Sequence, residues 1–234
     1  EQRNALVSGQ ALENRWYASL KAGDPDYSVY DHEFFVSDIW ACWVVYSRKY
    51  LWNFFRTTLG CSNLAKDLFS DAEAVVDLGC GIGYTTAALK ELFPAASVYG
   101  TQIPGTFQSR VAIEVGLERC FTVHPSVADK ADLIFASEYF EHFQRPIEHL
   151  LDVLRVAKPK YLIIANSFGS HSIGHFDEYL DSRRIHVQEV EQIVDVRLSN
   201  KAIGRDFNAV LKNCGYERVE TGFWNNRPAV WKKR

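Results

Sequence analysis

From residue 74 onward, short apolar runs alternate with segments in which apolar residues recur at every third or fourth position. The short runs predict buried strands, and the longer recurrence predicts helices that pack one face against them. The pattern places strands at 74–78, 97–100, 119–123, 131–136 and 161–165, and helices at 85–93, 106–117 and 146–156. Such alternation is typical of a mostly parallel sheet with helices on both faces.

The two ends of the chain follow different patterns. Residues 1–70 look helical, and one predicted helix face carries Phe35, Ile39, Trp43, Tyr46, Tyr50 and Phe54. Near the C-terminus, a helix at 206–214 precedes strands at 217–224 and 229–232, which predict an antiparallel hairpin and an antiparallel edge strand. Residues 167–203 fit neither pattern, so we expect a lid or a substrate-recognition insertion there. The prediction is therefore an N-terminal helical extension (1–70) and one α/β domain (71–234) with a seven-stranded sheet.

Composition narrows the class of protein. Of the 234 residues, 47% are hydrophobic, which is enough for a sizeable core, and the net charge of -3 gives no general attraction to nucleic acid or anionic membrane. The five cysteines are scattered without a CxxC pair, which argues against a disulfide framework and a cysteine-type zinc site. No run approaches the ~20 apolar residues that a membrane span requires. We expect a cytoplasmic protein.

The most informative stretch joins the first predicted strand of the domain to its first helix, where residues 75–83 read VVDLGCGIG. Glycines allow a tight turn and a close approach of ligand to main chain, and the following helix begins with unpaired N–H groups. This stretch resembles motif I of class I S-adenosylmethionine-dependent methyltransferases, and the resemblance extends over about residues 70–232. Nicotinamide enzymes instead show G-x-G-x-x-G. The resemblance implies a Rossmann-like fold with S-adenosylmethionine as the cofactor.

The same resemblance implies which residues hold the cofactor. They are Asp77, Gly79, Cys80, Gly81, Gly83, Thr85, Gln102, Ile103 and Ser137. One of them departs from the family pattern, because Gln102 replaces the acid that binds the ribose hydroxyls at the end of the second strand. Glutamine makes a hydrogen bond to a hydroxyl but does not accept two charge-assisted bonds. We therefore expect a weakened ribose contact, and a module that binds the cofactor without transferring its methyl group stays an alternative.

A second group of polar residues follows the fourth predicted strand. Glu138, Glu141 and His142 share one face of a helical turn. His171 and His175 follow the fifth strand, and parallel strands that end at one edge bring such residues together. In this family the segment after the fourth strand lines the place where the methyl group is transferred. Glu138, Glu141 and His142 are thus the candidate catalytic residues.

Three interpretations of this group stay open. In the first, Glu138, Glu141, His142 and His175 bind a divalent metal such as Mg, Mn or Zn. This set resembles the Glu-x-x-Glu-His motif with a later histidine in small-RNA 2′-O-methyltransferases and some quinone-pathway O-methyltransferases. In the second, His142 is a general base that Glu138 or Glu141 orients. In the third, the Glu-His pair caps a helix or contacts the edge of the cofactor.

The sequence leads to one preferred function and leaves the acceptor open. We expect methyl transfer from S-adenosylmethionine to an oxygen or nitrogen of a small-molecule or nucleotide-like acceptor. Metal-dependent 2′-O-methylation of RNA ends is an alternative, although the chain shows no known nucleic-acid-binding module. The many aromatic residues before position 50 either pack against the sheet or cover part of the site.

Overall fold

The computed structural model describes residues 2–60, 64–114, 122–124, 131–187, 190–223 and 228–234. Its strands, in chain order, are β1 (Ala74–Leu78), β2 (Ser97–Thr101), β3 (Thr122–His124), β4 (Leu133–Ser137), β5 (Tyr161–Ala165), β6 (Tyr179–Val187), β7 (Val190–Leu198), β8 (Tyr216–Val219) and β9 (Ala229–Lys233). Seven of them form one sheet in the order β3-β2-β1-β4-β5-β9-β8, while β6 and β7 pair only with each other.

The central sheet confirms the predicted α/β architecture. Strands β1 to β5 pair in parallel, and β9 pairs antiparallel with both β5 and β8. The antiparallel strand therefore lies inside the sheet, between β5 and β8, and the prediction of an antiparallel edge strand is wrong. The order reverses between β1 and β4, where the first crossovers leave the sheet in opposite directions. This reversal opens a crevice at the carboxyl ends of β1 and β4.

Helices cover both faces of the sheet. They are α1 (Gln2–Ala22), α2 (Asp38–Ser47), α3 (Lys49–Asn53), α4 (Leu64–Phe69), α5 (Tyr84–Leu92), α6 (Phe107–Glu114), α7 (Pro146–Ala157) and α8 (Asn200–Asn213). Side chains alternate along the strands, so Val76 packs with α1, α7 and α8 in one core while Val75 packs with α5 in the other. The N-terminal region contributes to both cores, through Trp16 on one face and Phe54 on the other.

Two predicted boundaries shift for identifiable reasons. Helix α8 begins at Asn200, six residues before the predicted start, because Ser199 caps it by accepting a hydrogen bond from the Ala202 N–H. Strand β3 occupies Thr122–His124, and most of the predicted strand at 119–123 lies outside the described residues. The connection between the two final strands, predicted at 225–228, also lies largely outside them.

The single helix face predicted from Phe35 to Phe54 is wrong. Ser37 accepts a hydrogen bond from the Trp40 N–H and so starts a new helix, and Arg48 separates α2 from α3. A π-helical segment, Phe54–Gly60, then continues the chain. Helix α2 is apolar around most of its circumference, and therefore its spacing does not report one buried face. None of its described residues is buried.

The segment that fits no sequence pattern, 167–203, contains a long hairpin formed by β6 and β7. A two-stranded hairpin is marginally stable by itself. Here its base is anchored because Tyr179 and Leu198 are buried in the core and Arg145, before α7, forms an ion pair with Asp195. The expectation of a lid or substrate-recognition element for this segment stays a prediction. Among the described helices, none combines the length and the apolar composition needed to cross a bilayer.

Candidate functional site

The glycine-rich turn after β1 adopts a conformation that other residues resist. Gly79, Gly81 and Gly83 have φ angles of 67°, 60° and 89°, in the left-handed region that favours glycine. A Cβ atom at Gly79 would lie 2.6 Å from Cδ2 of Tyr139, so the aromatic ring rests directly on the turn. The Cys80 N–H donates to the Thr101 carbonyl at 2.9 Å and ties the turn to the end of β2.

Asp77, the acidic residue of the motif, is buried next to this turn and stabilises it through hydrogen bonds. Its carboxylate accepts hydrogen bonds from the hydroxyls of Thr85 and Thr86 at 2.7 and 2.6 Å, which joins β1 to the first turn of α5. Burial raises the pKa of Asp77 to about 6, while those two bonds act in the opposite direction. The carboxylate thus accepts hydrogen bonds from neighbouring residues of the chain, and these bonds stabilise the turn.

Gln102 at the end of β2 also bonds to its own chain. Its amide nitrogen donates to the Gly81 carbonyl at 2.9 Å and to the Gln108 side chain at 3.0 Å. Its amide oxygen accepts from the Ile103 N–H at 2.9 Å. Both N–H donors are thus used within the chain, while the amide oxygen keeps a second lone pair for a hydroxyl donor, and the weakened ribose contact stays a prediction.

A cavity of about 1550 Å³ opens from this turn. Its volume exceeds the roughly 300–1,000 Å³ of an ordinary small-molecule site, so it has room for a second molecule beside a nucleoside cofactor. Six of the predicted cofactor residues line it, namely Gly79, Cys80, Gly81, Thr85, Gln102 and Ile103. Asp77, Gly83 and Ser137 are outside the lining. A direct cofactor contact of these three residues stays a prediction.

The segment after β4 carries the two predicted catalytic glutamates, of which Glu138 lines the cavity. Glu138 has a φ angle of 51°, which is strained for a residue other than glycine. Glu141 is fully buried and its Oε1 accepts a hydrogen bond from the Ser167 N–H at 2.7 Å. Its other oxygen, Oε2, is buried without a hydrogen-bond partner among the described residues. Burial raises the pKa of Glu141 well above its usual range, and the charge of Glu138 raises it further.

Two histidines stand beside these glutamates. The rings of His142 and His175 meet edge to face with centroids 4.7 Å apart. Nδ1 of His175 lies 2.9 Å from the Ser170 carbonyl, which only accepts, so Nδ1 carries a proton and Nε2 keeps a free lone pair. Nδ1 of His142 instead shares a hydrogen bond of 2.7 Å with the Tyr30 hydroxyl. Burial lowers the pKa of His142 to about 3, so its imidazole is neutral.

The structure brings three of the four predicted metal ligands into one cluster. One ligand atom from each of Glu138, Glu141 and His175 lies within 4.8 Å of the others. His142 lies next to this cluster but outside it, with its Nδ1 turned to Tyr30. Two carboxylates and an imidazole fit a hard-to-borderline divalent cation. The unpartnered Glu141 oxygen and the oriented His175 ring fit a metal as well, because ligating histidines usually donate their second nitrogen to a fixed acceptor.

His171, the other histidine considered after β5, lies elsewhere. Its ring stacks on Tyr17 at 3.8 Å between centroids, and its side chain is 63% exposed. Its charged neighbours are Glu13 and Asp177 rather than the glutamates after β4. His171 therefore joins α1 to the loop after β5 and takes no part in the cluster.

Several residues of the site escaped sequence reasoning. Trp16 donates from Nε1 to the His175 carbonyl at 2.7 Å, and Tyr30 bonds His142, so two N-terminal aromatics hold the two histidines. The aromatic richness of this region was visible in the sequence, but their partners lie 112 or more positions away. Tyr139 and His149 form a further pair, with the hydroxyl 2.9 Å from Nε2. No sequence motif signals that pair.

Comparison with known proteins agrees with this geometry. Residues 76–165 match the family described as "Methyltransferase domain". Malonyl-[acyl-carrier protein] O-methyltransferase of Halalkalibacterium halodurans is 25% identical over 148 residues, which make up 56% of this chain and 51% of the relative. This chain thus spans about half the length of that curated relative.

One of the similar solved structures shares the fold over almost the whole chain. The plantazolicin methyltransferase BpumL, crystallised with a pentazolic desmethylPZN analog and S-adenosylhomocysteine (SAH), is 14% identical with a TM-score of 0.52, covering 96% of this chain and 98% of BpumL. The N-terminal domain of EvdMO1 with SAH bound is 20% identical with a TM-score of 0.43, covering 72% of this chain and 78% of that domain. Residues 76–165 are thus similar to a methyltransferase domain, and the sheet order and glycine turn agree with the Rossmann-like fold of BpumL.

Proposed function

We propose that this protein transfers a methyl group from S-adenosylmethionine to an oxygen or nitrogen of a small-molecule acceptor. The observation that carries the proposal is the single cavity that runs from the glycine turn to the aromatic N-terminal helices. Its size leaves space for an acceptor next to the cofactor. By its name, the curated relative acts on malonyl-[acyl-carrier protein], and BpumL acts on plantazolicin, which supports transfer to an acceptor other than nucleic acid.

The lining of the acceptor side supports a planar, largely apolar acceptor. Trp40 and Trp43 stack with ring centroids 5.2 Å apart and both line the cavity. Tyr50 and Phe143 line it as well. Aromatic walls of this kind bind flat rings through stacking and edge contacts. The net charge of -3 gives the chain no general attraction to an anionic RNA end.

Catalysis in such a site depends mainly on alignment. The bound cofactor supplies an electrophilic methyl group on a sulfonium, which the acceptor atom displaces from sulfur. The protein's contribution is to hold the acceptor lone pair in line with that bond and to exclude water. Tyr139, packed on Gly79, and His142, held by Tyr30, form the wall between the two binding regions. Burial lowers the pKa of His142 to about 3 and disfavours its imidazolium form, which argues against His142 as the general base.

The proposal is tested by measuring SAH formation with a panel of acceptors. The panel pairs phenols, hydroxylated heteroaromatics and aromatic carboxylates with short RNA oligonucleotides that have free 3′ ends. We expect SAH to accumulate with at least one aromatic small molecule and to require the intact glycine turn. Turnover with the oligonucleotides alone would contradict the proposal and favour methylation of RNA ends. Cofactor binding without turnover of any panel member would favour the non-catalytic module.

A second, metal-assisted form of the function is favoured by the cluster of Glu138, Glu141 and His175. We propose that these residues bind one Mg²⁺, Mn²⁺ or Zn²⁺ ion. Such an ion lowers the pKa of a coordinated acceptor hydroxyl and fixes its orientation. The support is the buried, unpartnered Oε2 of Glu141 together with the free Nε2 of His175, which offers a lone pair. Burial raises the pKa of Glu141, and a bound cation would offset the same desolvation cost by stabilising the carboxylate form.

Titration of Mn²⁺ into the protein tests the metal directly. We expect one ion to bind per chain, and we expect Glu141→Gln and His175→Gln each to weaken binding at least tenfold, in line with the loss of a charged or imidazole ligand. His171→Gln is the matched control, because His171 lies four positions from His175 but is exposed and stacked on Tyr17. Equal Mn²⁺ affinity in all variants would contradict the assignment, and SAH affinity is expected to stay unchanged throughout.

A further inference from the structure

Arg48 lies in the cavity wall at the junction of α2 and α3. Its backbone position is fixed, because its N–H donates to the Val44 carbonyl at 3.0 Å and its own carbonyl accepts from the Leu51 N–H at 2.9 Å. Leu51 is buried in the core beneath α3. A rigid turn thus presents a guanidinium group to the cavity from the N-terminal region.

The charge of Arg48 reaches both sides of the cavity. It acts to lower the pKa of Asp77 behind the glycine turn, and also that of His142 and of Tyr50. Arg48 also lines the same cavity as Gly79 of the glycine turn and His142 of the segment after β4. Yet no carboxylate in the described part of the chain forms an ion pair with it. A guanidinium in a partly enclosed wall is therefore left without an anionic partner.

A bound cofactor would supply the anionic partner that Arg48 lacks among the described residues. The methionine part of S-adenosylmethionine carries one carboxylate, which needs a donor when it leaves water. The other basic residues of the wall are Lys201 and Arg218. Arg218 belongs to β8, which is four strand spacings from β1, or about 19 Å away at the usual spacing. Lys201 is an exposed residue in the first turn of α8, the helix that leads directly into β8. Arg48 is thus the cation at the glycine turn.

We propose that Arg48 binds the carboxylate of the methionine moiety of the cofactor, so that the N-terminal helices complete the cofactor site. The inference rests on the proposed use of S-adenosylmethionine. A guanidinium offers a planar fork that suits a carboxylate with two parallel hydrogen bonds. Asp77 does not compete for this role, because its carboxylate is negative and already accepts from Thr85 and Thr86. Cofactor binding and the position of α2 and α3 are then linked.

The experiment combines one substitution in the protein with one change in the ligand, which gives four binding measurements. Wild type and Arg48→Gln are each titrated calorimetrically with SAH and with decarboxylated SAH, which lacks only the carboxylate. We expect wild type to bind SAH at least tenfold more tightly than the decarboxylated ligand. We expect Arg48→Gln to bind both with equal affinity, close to that of wild type for the decarboxylated ligand. Arg56→Gln, an exposed arginine in the π-helical segment, is the control and should behave as wild type.

Two results would overturn the assignment of Arg48 alone. One is equal affinity of wild type for the two ligands, and the other is a weakening of both ligands by the same factor in Arg48→Gln. The latter result counts only for an Arg48→Gln variant that unfolds at the same denaturant midpoint as wild type, which separates loss of the site from misfolding. Wild type that binds neither ligand would instead overturn the proposed function itself. Arg48→Lys, which keeps the charge but not the fork, should show an intermediate preference for SAH.

Discussion

The two sides of the cavity are built in different ways. The glycine-turn side comes almost entirely from residues 77–86 and the end of β2, which bond to each other over short distances in the sequence. The opposite side joins His142 to Tyr30 and His175 to Trp16 across separations of 112 and 159 positions. The first side is therefore a local motif that the chain forms wherever this stretch folds. The second exists only when the N-terminal helices are in place.

This difference has a functional meaning. A cofactor shared by many enzymes needs one recurring site, and a contiguous strand, turn and helix provides it. An acceptor differs from enzyme to enzyme, and a wall assembled from distant segments is free to change with the added helices. Arg48 and Tyr30 belong to the N-terminal region but reach the glycine turn and the histidines respectively. The two sides are thus formed by different parts of the chain, and the N-terminal region contributes residues to both.

The largest effect on stability is expected at Gly174, on the side of the cavity that contains the two histidines. This residue has a φ of 84°, and a Cβ there would lie 1.7 Å from the Tyr30 hydroxyl and 2.6 Å from Nδ1 of His142. Gly174→Ala should lower the free energy of unfolding by about 3 kcal/mol, from left-handed strain plus overpacking. Chemical denaturation measures this loss. Gly169→Ala, with open space around it and no such φ, is the control and should change little. Equal stability of both variants would contradict the tight Tyr30–His142 contact.

A smaller effect is expected on the local side at Gly79. Its substitution combines a φ of 67° with a Cβ contact of 2.6 Å to Tyr139, so Gly79→Ala should lower the free energy of unfolding by about 2 kcal/mol and weaken SAH binding at least tenfold. Gly105→Ala isolates the strain, because Gly105 has a φ of 78° but no atom within 4 Å of its Cβ position. SAH affinity and unfolding are measured on both. If Gly105→Ala lost as much SAH affinity as Gly79→Ala, the contact between Gly79 and the Tyr139 ring would have no part in SAH binding.

The third effect, similar in free energy but without a loss of binding, concerns pH and His149, which lines the same cavity. Its ring stacks on Phe143 at 3.8 Å between centroids and bonds the Tyr139 hydroxyl, and burial lowers its pKa to about 4. The folded protein keeps this histidine neutral, whereas the unfolded chain protonates it below its ordinary pKa of about 6.5, so stability falls as the pH drops from 6.5 towards 4. Between pH 7 and 5, wild type should lose about 2 kcal/mol more than His149→Gln. Identical losses in a pH series of denaturation curves would contradict this.

The sheet and the glycine turn were predictable from sequence because their signals are local. Strands β1, β2 and β5 were placed to within one residue, since each is a short apolar run next to turn residues. The family resemblance then led to the cofactor and to the segment 138–142. Glu138, Glu141 and His175 could be named in advance because parallel strands β4 and β5 end at one edge.

The rest depended on contacts that a sequence pattern does not report. Helix α2 is apolar on most sides, so its spacing suggested a continuous face through Trp43 that the structure divides. The β6–β7 hairpin was missed because its anchors, Tyr179 and the Arg145–Asp195 pair, act across distant elements. His142 carries the motif position of a metal ligand, yet Tyr30 holds its Nδ1.

Titration of wild-type protein with SAH, in the presence and absence of Mn²⁺ and of a chelator, tests the central claim most directly. The claim is that the local turn forms a cofactor site that does not depend on the cluster across the cavity. We predict saturable binding of one SAH per chain, with the same affinity under all three conditions. We also predict the same affinity in Glu141→Gln. Failure of wild-type protein to bind SAH under any condition, or binding that appears only with Mn²⁺, would contradict the account.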